Sequence, residues 1–254
     1  MHEVERLKRA VLSLPSVALR VDWLADHIGR QDATTRARLM NSLCEESERS
    51  DPDAREALLP FCLLLVAAGE CDLLQSLRQR AHELHLLALG RVVRRAPPPA
   101  EWRDDARVPD YGTGRELTLG ERRSLARRPN RRAFDKLLSD PHPMVIHQLL
   151  DNPKLTEDDV IRMAARRPGR PDTLRAVAGS KKWMSRGRVR LSLILNPNTP
   201  PEIAMPLLAV CKRTELREVI ASSEANRVLR ATALELFERR PPIRGVDRAD
   251  AVLQ

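Results

Sequence analysis

Aromatic residues are scarce in this chain: three Phe, three Trp and one Tyr in 254 residues. With 42% of residues hydrophobic, the apolar content is therefore mostly Leu, Val, Ile and Ala. Leu and Ala lose little side-chain freedom in a helix, whereas strands favour β-branched and aromatic side chains, so composition tilts the fold toward helix. Cysteine is also sparse. Cys44, Cys62, Cys71 and Cys211 lack the close pair spacing of a zinc or redox motif. A chain of this size does not need a disulfide framework either, so they are expected to be reduced, with Cys44 and Cys62 in the core. Long hydrophobic runs are missing: Leu58 to Ala68, the longest, is about half of the ~20 residues needed to cross a bilayer. The start, Met1 to Arg6, carries Glu3 and Glu5 where a signal peptide would carry only bases. No membrane insertion and a cytoplasmic location are the expectations.

Lysine is nearly absent as well, six against 38 Arg, and the net charge is +9. Residues 1–95 are balanced, with 14 basic and 14 acidic residues, so the whole excess lies beyond them. Between Arg122 and Arg190 there are 18 basic and 7 acidic residues, an excess of +11. Such a block attracts phosphates, anionic lipid or an acidic protein face, although Arg bias of coding origin produces the same count.

Hydrophobic spacing predicts about five helices in residues 1–95. Val4, Leu7, Val11 and Leu14 form one stripe, ended by Pro15. A second helix runs from Ser16 to a stop at Gly29, and a third from Asp32 to Glu48. Ser50-Asp51-Pro52 then supplies a cap and a first-turn proline for a helix reaching Gly69, with Pro60 a candidate kink. Cys71 to Arg94 reads as one further helix. Pro97-Pro98-Pro99 ends helical order, and residues 96–116 read as a Pro-rich linker that Trp102 and Tyr111 pin against a helical part.

Residues 117–254 carry repetition. Val145-x3-Leu149-Leu150-x-Asn152-Pro153 matches Val189-x3-Leu193-Ile194-x-Asn196-Pro197, and Ala126-Arg127-Arg128-Pro129 matches Ala165-Arg166-Arg167-Pro168. Arg239-Arg240-Pro241 is a looser third echo. The apolar positions form the buried stripe of a short helix. Asn tolerates a left-handed helix end, Pro prevents continuation, and Thr156 or Thr199 caps the next helix. Helix, sharp stop, helix is thus the recurring unit, and stacking must complete each core. About nine short helices fit between Leu117 and Arg240.

The stretch from Val189 to Ile203 resembles a unit of the bacterial leucine-rich-repeat variant, a relative of HEAT-type helical solenoids, and Met144 to Arg166 resembles a second. The resemblance spans about residues 117–240 and implies an all-α solenoid. It departs from the family in its uneven spacing, in the inserted Lys181-Lys182-Trp183, and in having no counterpart to the iron–sulfur cysteine cluster, so no cofactor is inferred.

Chemistry-bearing constellations are weak. His82 and His85, three apart on one helix face, have a chelating spacing but no third ligand, and polar surface histidines explain them better. His142 and His147 have no nucleophile partner, and Tyr111-Gly112-Thr113-Gly114 follows no strand and so makes no dinucleotide loop. Glu157-Asp158-Asp159 is placed as the first turn of a helix rather than as a metal or base site. The expected function is a non-enzymatic scaffold or adaptor. An arginine ridge would hold a partner protein with an acidic surface, and no small-molecule substrate is expected. The candidate residues are Arg122, Arg123, Arg127, Arg128, Arg131, Arg132, Arg166, Arg167, Arg170, Lys181, Lys182, Arg186, Arg188 and Arg190. Nucleic-acid binding through backbone phosphates is the alternative. A third reading, a HEAT-repeat DNA glycosylase, would rest on Trp183 with Asp172.

Overall fold

The computed structural model describes residues 2–49, 51–69, 71–99, 107–128 and 130–241. These are all-α: sixteen α-helices and one 3-10 turn, with no strand among the described residues. Trp102 lies outside them.

Six helices occupy the first part: α1 (His2–Leu12), α2 (Val17–Gly29), α3 (Ala33–Glu48), α4 (Pro52–Ala68), α5 (Asp72–Glu83) and α6 (Leu87–Val92). Their starts follow the sequence closely. Side chains of Ser16, Asp32 and Asp51 accept hydrogen bonds from the first-turn amides of α2, α3 and α4, satisfying donors that have no partner inside the helix. The helix α4 runs unbroken through Pro60 and is apolar on nearly every side, with Ala54, Ala57, Leu58, Phe61, Cys62 and Leu65 fully enclosed. A helix of that kind must be surrounded, and α1, α2, α3 and α5 pack around it.

The expected single helix from Cys71 to Arg94 is corrected to two. At the end of α5, His85 adopts a left-handed conformation with φ of 53°. The Leu86 amide donates to the Ala81 carbonyl and the His85 amide to that of His82, at 2.9 and 3.3 Å. This is the paired reverse bonding that closes a helix, with His in the place usually taken by glycine. His82 and His85 therefore do not share a helix face. Glu48 of α3 grips Arg91 of α6 through two bonds of 2.7 and 2.6 Å, so the redirected segment is tied down beneath the surface.

The later part comprises α7 (Leu119–Arg127), a 3-10 turn (Arg131–Ala133), α8 (Phe134–Leu137), α9 (Pro143–Leu150), α10 (Glu157–Ala165), α11 (Pro171–Gly179), α12 (Lys181–Met184), α13 (Gly187–Leu195), α14 (Pro201–Leu208), α15 (Arg213–Ala221) and α16 (Arg227–Arg239). The repeated stripes face inward: Val145, Leu149, Val189 and Leu193 are fully buried, and Leu150 and Ile194 nearly so. Helix α7 packs on α9 and α10 packs on α13, giving two like pairs. Trp183, in the stretch read as an insertion, joins them. It is 5% exposed, and its indole N–H donates to the Leu150 carbonyl at 2.8 Å.

Both parts share one apolar interior. Helix α4 packs against α11 and α14 as well as against its own neighbours. Arg94 holds Glu235 by two bonds of 2.7 and 2.9 Å, and the Ser47 hydroxyl donates to the Ala209 carbonyl. Cys44, Cys62 and Cys211 are buried there as free thiols, and burial pushes the Cys211 thiol up to about 12. No helix among the described residues is long and apolar enough to cross a membrane.

Candidate functional site

The candidate surface is built around two helix exits. Both α7 and α10 are nine residues long and open on the same device: Thr118 with Glu121, and Thr156 with Asp159, exchange side-chain and backbone hydrogen bonds. They close alike as well. The amide of Asn152 donates to the carbonyls of Ala126 and Arg128 at 2.7 and 2.9 Å. The amide of Asn196 donates to those of Ala164 and Arg166 at 2.7 and 3.0 Å. Each Asn oxygen accepts the backbone N–H two residues on, from Lys154 and Asn198. The orphan carbonyls of a helix end thus gain donors from the next segment of chain.

Two expectations are corrected here. Neither Asn is left-handed. Each is a buried clamp, 2% exposed, whose NH₂ group is spent on a neighbouring helix while its oxygen holds its own turn. Nor is Thr199 a cap, since its hydroxyl donates to the Leu193 carbonyl and Pro201 opens α14. The clamps also set the register of the arginine motifs. Arg128, and not Arg127, is equivalent to Arg166, one position away from the alignment of the Ala-Arg-Arg-Pro strings. In the third echo Arg240 points inward, 1% exposed, and donates to the Ala209 carbonyl.

The candidate cations divide into committed and open groups. Arg122 occupies the position that Val160 fills in α10, within the core, and is neutralised by Asp140 at 2.7 and 2.8 Å. Asp140 also accepts the Tyr111 hydroxyl at 2.7 Å, which fastens the connection before α7 as expected for Tyr111. Arg122 is therefore no part of a surface. Arg190 is half-buried against the Met184 carbonyl, and desolvation lowers its pKa. Arg131 binds Asp159, Arg167 binds Glu224, Lys181 binds Asp22 and Arg188 binds Asp158, at 2.5, 2.5, 2.6 and 3.1 Å. Arg127 donates to Gln148, Lys182 lies over the Trp183 ring, and Arg123 and Arg170 are half-buried. Arg128, Arg132, Arg166 and Arg186 are exposed with no carboxylate partner among the described residues.

A cleft that sequence spacing did not reveal adjoins the first exit. It holds about 430 Å³ and is lined by Tyr111, Ser124, Arg128, Asn130, Arg132 and Lys136 among others. Arg128 and Arg132 of its lining are among the sequence candidates, whereas Lys136 and Tyr111 are not placed with them. A larger groove of about 830 Å³ lies between α5, α6 and α16, but Arg91 and Arg94 in its wall are spent on Glu48 and Glu235.

Trp183 is enclosed and Asp172 is exposed beside Arg175, so these two residues do not face one another across a groove as the glycosylase reading requires. Asp159, of the acidic run, is spent on the helix start and on Arg131. Burial acts to raise its carboxyl, but the bonds from Arg131 and Thr156 hold it below the usual range.

No protein-family model, curated protein or solved structure matches the chain.

Proposed function

We propose that this protein is a non-enzymatic scaffold. In this reading residues 117–240 form a short α-solenoid of the HEAT or leucine-rich-repeat-variant kind, and its arginine edge holds an acidic face of a partner protein. The observation that carries it is the pair of Asn clamps. They put Arg128 and Arg166 at equivalent exits of two like helix pairs, each guanidinium without a carboxylate among the described residues. Equivalent positions of stacked repeats follow one edge of an array. Arg132 and Arg186 extend the set, and each planar fork matches one carboxylate.

A protein partner is preferred to a nucleic acid for two reasons. Asp22, Glu202 and Glu224, all outside the basic block, are brought onto its cations, so the positive field is weaker than sequence counting implies. Trp183, the aromatic residue set among Lys181, Lys182 and Arg186, is enclosed, so it offers no stacking platform to a strand lying on those cations.

The test is charge reversal at Arg128, Arg166 and Arg186 together, followed by quantitative comparison of cross-linked partners retained by the variant and by the unaltered chain. Loss of a discrete set of acidic proteins is the expected outcome, and an unchanged set defeats the reading. Titration with random duplex DNA between about 50 and 200 mM salt separates the alternative, for which binding falls several hundred-fold or more.

A further inference from the structure

We propose that the cleft between the connection around Tyr111 and the α7–α8 segment binds a small organic phosphate of nucleotide size. This goes beyond the scaffold reading, because the occupant is a small molecule held in a concavity rather than a protein laid along an edge.

Three cations converge on the cleft. Arg128 leaves the exit of α7, Arg132 stands in the 3-10 turn after it and Lys136 in α8, and all three line the cleft. All three are exposed, and none has an ion-pair partner among the described residues. Like charges gathered around a concavity repel one another, and a bound dianion relieves that repulsion. The one carboxylate among the described lining residues does not neutralise them. Glu121 is held by Arg115 and by the amide and hydroxyl of Thr118.

Neutral donors complete the anion site. The Asn130 oxygen accepts the Arg132 amide at 3.1 Å, which leaves its NH₂ group available to a ligand, and the Ser124 hydroxyl has no partner among the described residues. The remaining wall suits the organic portion. Leu117, Leu125 and Ala133 are apolar, and the Tyr111 ring is fixed in place by its hydroxyl bond to Asp140. A volume of about 430 Å³ falls within the range of small-molecule sites, roughly 300–1,000 Å³, and exceeds what a bare phosphate would fill. Tyr111 and Thr113 bring the Tyr111–Gly114 loop to the cleft, while Gly112 and Gly114 lie outside its lining.

The experiment is calorimetric titration of the full chain at low salt with adenosine 5′-monophosphate, inorganic phosphate and adenosine. The monophosphate should bind with one-to-one stoichiometry and about tenfold or more tighter than inorganic phosphate, and adenosine should give no saturable heat. Lys136→Glu should weaken the monophosphate by about tenfold or more, and Ser124→Trp, which fills the cleft without changing charge, should abolish binding. Arg166→Glu and Arg186→Glu, on the proposed edge but outside the cleft, should leave it unchanged. The proposal is overturned if the monophosphate gives no saturable heat, if inorganic phosphate binds as tightly, or if both cleft variants bind normally. Helical circular dichroism matching the unaltered chain identifies variants that have folded, and competition by a second monophosphate on the unaltered chain tests saturability without any substitution.

Discussion

At the residue scale, the buried amide of Asn196 decides more than its conformational tolerance would suggest. It satisfies two carbonyls of α10 and one amide of its own turn, and Gly169 sits so close that a methyl group there would lie 2.7 Å from the Asn nitrogen. Asn196→Ala should cost about 2 kcal/mol, since one buried and one part-buried carbonyl lose their donor at once. Urea unfolding followed by circular dichroism measures this, and a loss below half a kcal/mol would show that the clamp is dispensable. Gly169→Ala should be destabilising as well, because the nearest atoms belong to a side chain bonded on three sides and unable to yield. The sequence displayed both Asn-Pro pairs and their apolar stripes, so the recurrence was legible. The partners of the amide were not, because Asn196 and the carbonyls it binds lie 30 and 32 positions apart.

At the scale of the element, capping chemistry is local and legible in the sequence. Ser16, Asp32, Asp51 and Thr156 each stand where a first-turn donor needs an oxygen. The break after α5 is not legible, because nothing in the His82 to Leu86 run announces it, neither glycine nor proline, and the apolar spacing continues across it. His85 occupies a conformation that L side chains populate at a cost of about 1–2 kcal/mol. Replacing it with glycine should therefore stabilise the protein by roughly 1 kcal/mol, after allowance for the greater freedom of glycine in the unfolded chain. Thermal unfolding of His85→Gly measures the shift, and a lowered midpoint would mean that the imidazole makes a contribution larger than the strain it imposes.

At the scale of the whole molecule, one interior serves both helical parts, and the cysteines report on it. Cys44 and Cys62 come from the first part and Cys211 from the second, all enclosed with thiols raised by desolvation, whereas Cys71 is only partly covered. A thiol-alkylating reagent should modify Cys71 alone in the native protein and all four in denaturant, as read by mass spectrometry. Rapid native labelling of Cys211 would show that α14 does not stay packed on α4.

The helical class and the positions of most helices were determined by the sequence alone. Leucine and alanine spacing, together with short-range caps, act within a few residues and leave their mark on neighbouring positions. Which arginines are free was decided by the tertiary structure. Arg122 and Arg128 look alike in the sequence, yet one fills a core position against Asp140 and the other projects from a clamped helix exit. Burial and ion pairing depend on residues far along the chain, and no local pattern of charge encodes them.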